Sequence, residues 1–225
     1  MSHALWAAGV SAYRRCMTTI SDHFESASVF EASLPDRPLK VVGVSGSLHE
    51  PSKTTVLVES IIAAVGARTP IESQVITLSQ LGPSLAGVLQ RDGLPDEVEQ
   101  KLLDIEGADL LVVASPVYRA SFTGLFKHLF DFVDQYALVG QPVLLAATGG
   151  GERHALIIEH QLRPLFGFFQ SLTLPLGVYA STADFDGYRL RNGSVQQRIE
   201  QAVGRGLPLV EQAARQRVSD YVSTW

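Results

Sequence analysis

Cysteine is all but missing. Cys16 is the only one in 225 residues, so no internal disulfide can form and no cysteine cluster can hold a metal. Positive charge is also in short supply: 18 Lys and Arg stand against 23 Asp and Glu, a formal net charge of −5 with a pI of about 5.7. No basic cluster reaches the size that nucleic-acid binding requires. Long apolar runs are lacking too, and no uninterrupted stretch approaches the ~18 residues of a membrane span. These absences exclude nucleic acid and membrane as expected partners and point to the cytoplasm. With 46% hydrophobic and 18% charged residues, the chain is globular and not disordered. Its length suits one sizeable domain and is short for two.

The first residues read differently from the rest. Met1 to Thr19 contains Arg14 and Arg15 but lacks the compact apolar core and cleavage site of a secretory signal. Ser21 to Pro38 is rich in Ser, Pro, Asp and Glu. The expectation is a poorly ordered extension over 1–38, with Met17 an alternative start. The competing expectation is an arm that packs on a neighbouring subunit through Trp6, Tyr13, Phe24 and Phe30. A single domain is then expected over 39–217, followed by a tail over 218–225.

Within that domain apolar strands alternate with helical patterns. Leu39 to Val44 reads as a buried strand, and Lys53 to Ala67 as a helix with Val56, Leu57, Ile61 and Ile62 at helical spacing. Further strands are predicted over Glu72 to Leu78, Asp109 to Ser115, Pro142 to Ala147 and Thr173 to Ala180. Helices are predicted over Asp96 to Gly107, Phe122 to Gln135, His154 to Ser171 and Ser194 to Arg217, the last interrupted at Gly204–Gly206 and Pro208. Gly82 to Gly93 reads as a loop. Strands alternating with helices indicate a parallel sheet covered on both faces. Five strands suit an α/β, flavodoxin-like three-layer sandwich with sheet order 2-1-3-4-5, in which ligands sit beyond the carboxyl ends of the strands.

The chemistry-bearing residues stand after strands 1, 3 and 4. After strand 1, Ser45 to Ser52 is small, polar and turn-forming, and a helix starts at Lys53. Unpaired N–H groups in a first helical turn favour an anion, and the hydroxyls of Ser47, Ser52, Thr54 and Thr55 can add hydrogen bonds. A triphosphate P-loop would need glycines where Ser47 and Ser52 stand, and no G-x-G-x-x-G loop is present. The stretch suits one terminal phosphate; a ligand-free Ser/Thr helix cap is the plain alternative. Lys53 and His49 either neutralise that phosphate or are solvated. After strand 3, Pro116 stiffens the strand exit, and Pro116, Val117, Tyr118 and Arg119 suit a flat ring; an ordinary turn capped by Ser121 is the alternative. Phe122, Leu125, Phe126, Leu129, Phe130 and Val133 read as core or interface. After strand 4, Thr148 is followed by Gly149, Gly150 and Gly151. Three glycines are costly in entropy and let backbone N–H groups approach the edge of a ring such as a pyrimidinedione.

Taken together, Gly-Ser-x4-Ser-Lys-Thr, then Ser-Pro-Val-Tyr-x-Ala-Ser-Phe-Thr-Gly-x-Phe-Lys-x-Leu-x-Asp, then Ala-Thr-Gly-Gly-Gly, resemble the NAD(P)H-dependent FMN reductases. The resemblance spans about Leu39 to Leu209 and is nearest to the branch that serves two-component alkanesulfonate and methanesulfonate monooxygenases. It implies that Ser47, Ser52, Thr54 and Thr55 bind the FMN phosphate. It implies that Pro116 to Arg119 line the isoalloxazine and that Thr148 to Gly151 meet its pyrimidine edge. The implied reaction is hydride transfer from NADH or NADPH to FMN, with no obligatory side-chain acid or base and hence no catalytic residue named. Reduced flavin would pass to a separate monooxygenase of organosulfur metabolism. Many relatives carry an arginine where His49 stands, which implies a phosphate held with less fixed charge. The resemblance also implies a homodimer or homotetramer, with a Lys127–Asp131 pair near the interface and the Phe122 to Phe130 face against another chain. It implies that the Phe122 to Gln135 helix can carry an inserted residue, Phe122 or His128. An FMN-retaining quinone, azo or metal-ion reductase and a flavodoxin-type electron carrier are the competing expectations.

Overall fold

The computed structural model describes residues 37–215, all within the larger of the chain's two units, Leu34–Trp225. The expectations for the N-terminal extension, its aromatic anchors, Cys16 and the C-terminal tail lie outside the described residues.

The chain runs β1 (Leu39–Ser45), α1 (Lys53–Gly66), β2 (Ile71–Thr77), α2 (Leu78–Leu85), α3 (Asp96–Glu106), β3 (Leu110–Pro116), α4 (Gly124–Asp131) and β4 (Pro142–Gly149). A π-helical turn (Ile158–Leu162) leads into α5 (Arg163–Phe168), followed by β5 (Leu172–Thr173), β6 (Val178–Ser181), a small hairpin of β7 (Phe185–Asp186) and β8 (Arg189–Leu190), and α6 (Ser194–Arg215). The main sheet is parallel in the order β2-β1-β3-β4-β5, with β6 also paired to β4. Parallel strands need helical crossovers, which cover both faces. Alternate residues of each inner strand therefore enter opposite cores. Val42, Val44, Leu111 and Val113 pack with α2 to α5, whereas Val41, Leu110, Val112 and Ala114 pack with α1 and α6. This is the expected flavodoxin-like sandwich.

Several elements depart from the sequence expectation. Part of the Gly82 to Gly93 loop is helix α2, because Leu78, Leu81 and Leu85 share one buried face and Gly82 is itself buried; tertiary burial outweighs the local cost of Gly82 and Pro83. The Phe122 to Gln135 helix is shorter. Its end is held by other elements: Arg91 Nη1 donates to the Phe132 carbonyl at 3.1 Å, and Asp134 N–H to Glu106 Oε1 at 3.0 Å. The His154 to Ser171 helix is broken into a 3₁₀ turn, the π turn and α5. Pro164 lacks the N–H that would bond back to His160, and the turn before it is widened.

The fifth strand is two short pieces. Leu172–Thr173 pairs with Pro142–Val143 and Val178–Ser181 with Ala146–Gly149, while Pro175, which has no donor for a ladder, lies in the gap. The last helix is not interrupted. Pro208 crowds the carbonyl four residues back, and that residue is Gly204, which has no side chain to resist the adjustment. Gly206 lets Leu174 press against the helix, since a Cβ there would stand 2.5 Å from Leu174 Cδ1. Among the described residues no helix is long and apolar enough to cross a membrane.

Candidate active site

The loops after β1, β3 and β4 leave the same edge of the sheet and are bonded to one another. The three strands are adjacent and parallel, so their carboxyl ends cannot lie apart. Thr123, just before α4, donates from Oγ1 to the Gly46 carbonyl at 2.9 Å, and its N–H donates to Ser115 Oγ at 3.1 Å. Val117 N–H donates to the Thr148 carbonyl at 2.8 Å. The hydroxyls of Thr54 and Thr148 are 2.6 Å apart, a buried bond between the first turn of α1 and the end of β4. Sequence motifs alone did not single out Ser115 or Thr123 as ties; their partners lie on other strands, and residue type gives no signal for that.

The first loop folds as a helix cap. Ser52 has extended backbone (φ −130°, ψ 126°), and its Oγ accepts from Thr55 N–H at 3.2 Å, which is the N-cap geometry. The first N–H groups of α1, at Lys53 and Thr54, have no intrahelical acceptor, and no acidic residue occupies that turn. The helix dipole there favours an anion. Ser47 is buried and donates to the His49 carbonyl at 3.0 Å, while Thr55 Oγ1 is 2.9 Å from Ser45 Oγ. Lys53 is half-buried, and its Nζ lies 5.6 Å from the centroid of the Phe185 ring. His49 is exposed. The Glu50–Pro51 peptide is cis, and the Glu50 carboxylate accepts from Ser79 Oγ at 2.7 Å, tying the loop to α2.

After β3, Pro116 pairs with Thr148 and the chain turns back at once. Tyr118 and Ser121 exchange backbone bonds of 2.8 and 3.0 Å, with φ of 49° at Arg119 and 67° at Ala120. Positive φ at both central positions defines a type I′ turn, which ordinarily takes Asn or Gly. Two residues with Cβ atoms in the left-handed region cost about 1 kcal/mol or more each. The turn presents Tyr118, Arg119 and Ala120 to solvent, and Ser121 Oγ donates to Gln161 Oε1 at 3.1 Å.

After β4, Thr148 is buried and the three glycines divide. At Gly149 a Cβ would collide with Tyr179 Oη, whereas at Gly150 and Gly151 it would meet nothing within 4 Å. Tyr179 Oη donates to the Gly151 carbonyl at 2.6 Å. Burial pushes the Tyr179 pKa up, with the nearby negative charges of Glu152 and Asp184 adding to it.

Two implications of the resemblance are corrected. Phe126 and Phe130 are fully buried in this chain's own core, their tilted rings 4.9 Å apart and Phe130 edge-on to Phe166 at 5.0 Å, so they are not an interface. The π turn lies at Ile158–Leu162, around His160, and not in α4, which carries His128, nor at Phe122, which precedes that helix. Lys127 and Asp131 do pair, at the exposed surface. Among the described residues no cluster of metal-ligating side chains occurs. A cavity of about 720 Å³ lies at the opposite edge of the sheet, beside Asp109, Gln141 and Leu209, and includes none of the loop residues.

A comparison with protein families matches residues 39–186 to the family described as NADPH-dependent FMN reductase. The chain belongs to that family. It is similar to an FMN reductase (NADPH) of Pseudomonas aeruginosa, 55% identical over 76% of this chain and 92% of that protein. It is similar also to the NADH-dependent FMN reductase SfnF of Pseudomonas fluorescens, 53% identical over 77% and 92%. Among solved structures, an apo NADH:FMN oxidoreductase, EmoB, superposes with a TM-score of 0.66 at 28% identity, covering 83% of this chain and 93% of that one. The reductase thus acts on FMN with a reduced nicotinamide as donor. Its loops suit that flavin on structural grounds: an acid-free helix start for a phosphate, and at Gly150 and Gly151 a backbone left open where side chains would otherwise stand.

Proposed function

We propose that the reductase holds FMN across these three loops and delivers the reduced flavin to an FMNH2-dependent monooxygenase of organosulfur metabolism in the cytoplasm. Ser47, Ser52 and Thr54, with the first-turn N–H groups of α1, hold the phosphate, and Thr55 supports them from behind. Pro116, Val117, Tyr118 and Arg119 line the ring, and Thr148 to Gly151 meet its pyrimidine edge. When bound, FMN supplies the acceptor for the nicotinamide hydride. The protein's part is to place two rings face to face, which asks for orientation and not for a side-chain acid or base. The buried Thr54–Thr148 bond is the observation that carries this reading: it couples the phosphate loop to the ring-edge loop in one rigid unit. Exposed Leu156 (60%) and Phe168 (66%) supply apolar surface for a homodimer or homotetramer.

The test is NAD(P)H oxidation by the purified full chain with and without added FMN, followed by coupling to a sulfonate monooxygenase. Flavin-dependent oxidation of NADH or NADPH is expected, with oxygenase turnover that needs the reductase. Oxidation that is independent of FMN rejects the flavin assignment, and failure to support any such oxygenase rejects the partner.

A further inference from the structure

Tyr179 stands on β6 opposite Ala147 of β4, half-buried against the core formed by α2 to α5. A phenylalanine would fill that space as well, so the hydroxyl is what needs a reason. It reaches over Gly149, where no side chain fits, and bonds the Gly151 carbonyl at 2.6 Å; His154 N–H approaches the same oxygen at 3.3 Å. The carbonyl and N–H of a trans peptide point in opposite directions. Holding the Gly151 carbonyl toward Tyr179 therefore turns the next N–H, that of Glu152, away from β6. Without such a restraint, adjacent glycines sample many orientations, and donors that must be ordered at binding weaken it. The raised pKa keeps the phenol protonated, and hence a donor, through the neutral range.

We propose that Tyr179 is a positioning residue for the flavin: its hydroxyl fixes the Gly150–Glu152 backbone so that N–H donors face the pyrimidine edge of the ring. The inference rests on the assignment of the glycine loop to that edge.

The experiment compares the wild-type chain with Tyr179→Phe and Thr54→Ala, titrating each with FMN and with riboflavin and recording the visible difference spectrum and the flavin-free melting temperature. For Tyr179→Phe, Kd is expected to rise about tenfold for both flavins, the worth of one net hydrogen bond. The bound spectrum should move toward that of free flavin while the flavin-free melting temperature holds. Thr54→Ala should weaken FMN more than riboflavin. Unchanged Kd and spectrum in Tyr179→Phe, with Thr54→Ala still selective for FMN, overturns the role of Tyr179 and leaves the site standing. A lower melting temperature with an unchanged bound spectrum also overturns it, since the hydroxyl would then serve the fold alone. If neither variant alters binding, the site assignment itself fails and the inference with it.

Discussion

At the scale of single residues, two side chains carry separable demands. Ser52 caps α1 through its Oγ, and the proposal gives the same oxygen a place at the phosphate. Ser52→Ala is therefore expected to cost about 1 kcal/mol of stability as a lost cap and, in addition, to weaken FMN more than riboflavin. Calorimetric melting and flavin titration separate the two; equal loss for both flavins would remove Ser52 from the phosphate site. Ala120 poses the reverse case. It sits at φ 67° in the type I′ turn, where glycine meets no Cβ penalty. Ala120→Gly is expected to stabilise the fold by up to about 1 kcal/mol after the entropy of a freer unfolded chain is counted. A fall in the melting temperature would show that the turn is held in place by contacts of Ala120. The hydroxyls and glycines of the candidate site were named from residue type, which states what a phosphate or ring edge needs. Tyr179 was not, because a tyrosine in an apolar strand reads as core until its partner on another loop is known.

At the scale of elements, the segment 86–95 between α2 and α3 has little regular structure of its own and is fastened by Arg91. Its guanidinium bonds Glu99 at 2.7–3.1 Å, Glu106 and the Phe132 carbonyl, so one side chain joins the loop, α3 and the end of α4. The hydrogen bond from Arg91 holds the Glu99 carboxyl below its ordinary value of 4.5. A depressed folded-state pKa adds stability above the unfolded value, and that stability is lost as pH falls through the folded one. Arg91→Ala is expected to cost about 1–2 kcal/mol near neutrality, discounted for partial solvent screening. The gap in melting temperature from wild type should then narrow as pH drops below 4.5. A gap that is constant with pH would mean that packing of the arginine stem and not its charge holds the loop. The strands were legible in the sequence because apolar runs buried on both faces have few other interpretations. The helix ends were not. Where α4 stops depends on Arg91 and Glu106, whose partners are distant in sequence, and where the helix after β4 widens depends on a proline acting on the preceding turn.

At the scale of the whole molecule, charge bears on how firmly flavin is kept. The chain carries a formal −5, and a phosphate monoester adds about −1.5 to −2 of its own at neutral pH. The cation nearest in sequence to the phosphate loop, Lys53, has its Nζ over the Phe185 ring, and His49 is exposed. At the proposed site, phosphate would be held by neutral hydroxyl and N–H donors against a mildly repulsive background. An ion pair would weaken with salt, whereas screening of net repulsion strengthens binding slightly. FMN affinity is therefore expected to stay level or rise as salt is raised, and the purified reductase to lose its yellow colour on desalting. Isothermal titration across salt concentrations, with absorbance of the desalted protein, measures both. A steep loss of affinity with salt would locate a fixed cation at the phosphate, and a protein that stays yellow would favour a reductase that keeps its flavin and passes electrons from it. A weakly retained flavin suits the proposed delivery of the product to another protein: on that reading the three loops need hold two rings together only for the length of one transfer.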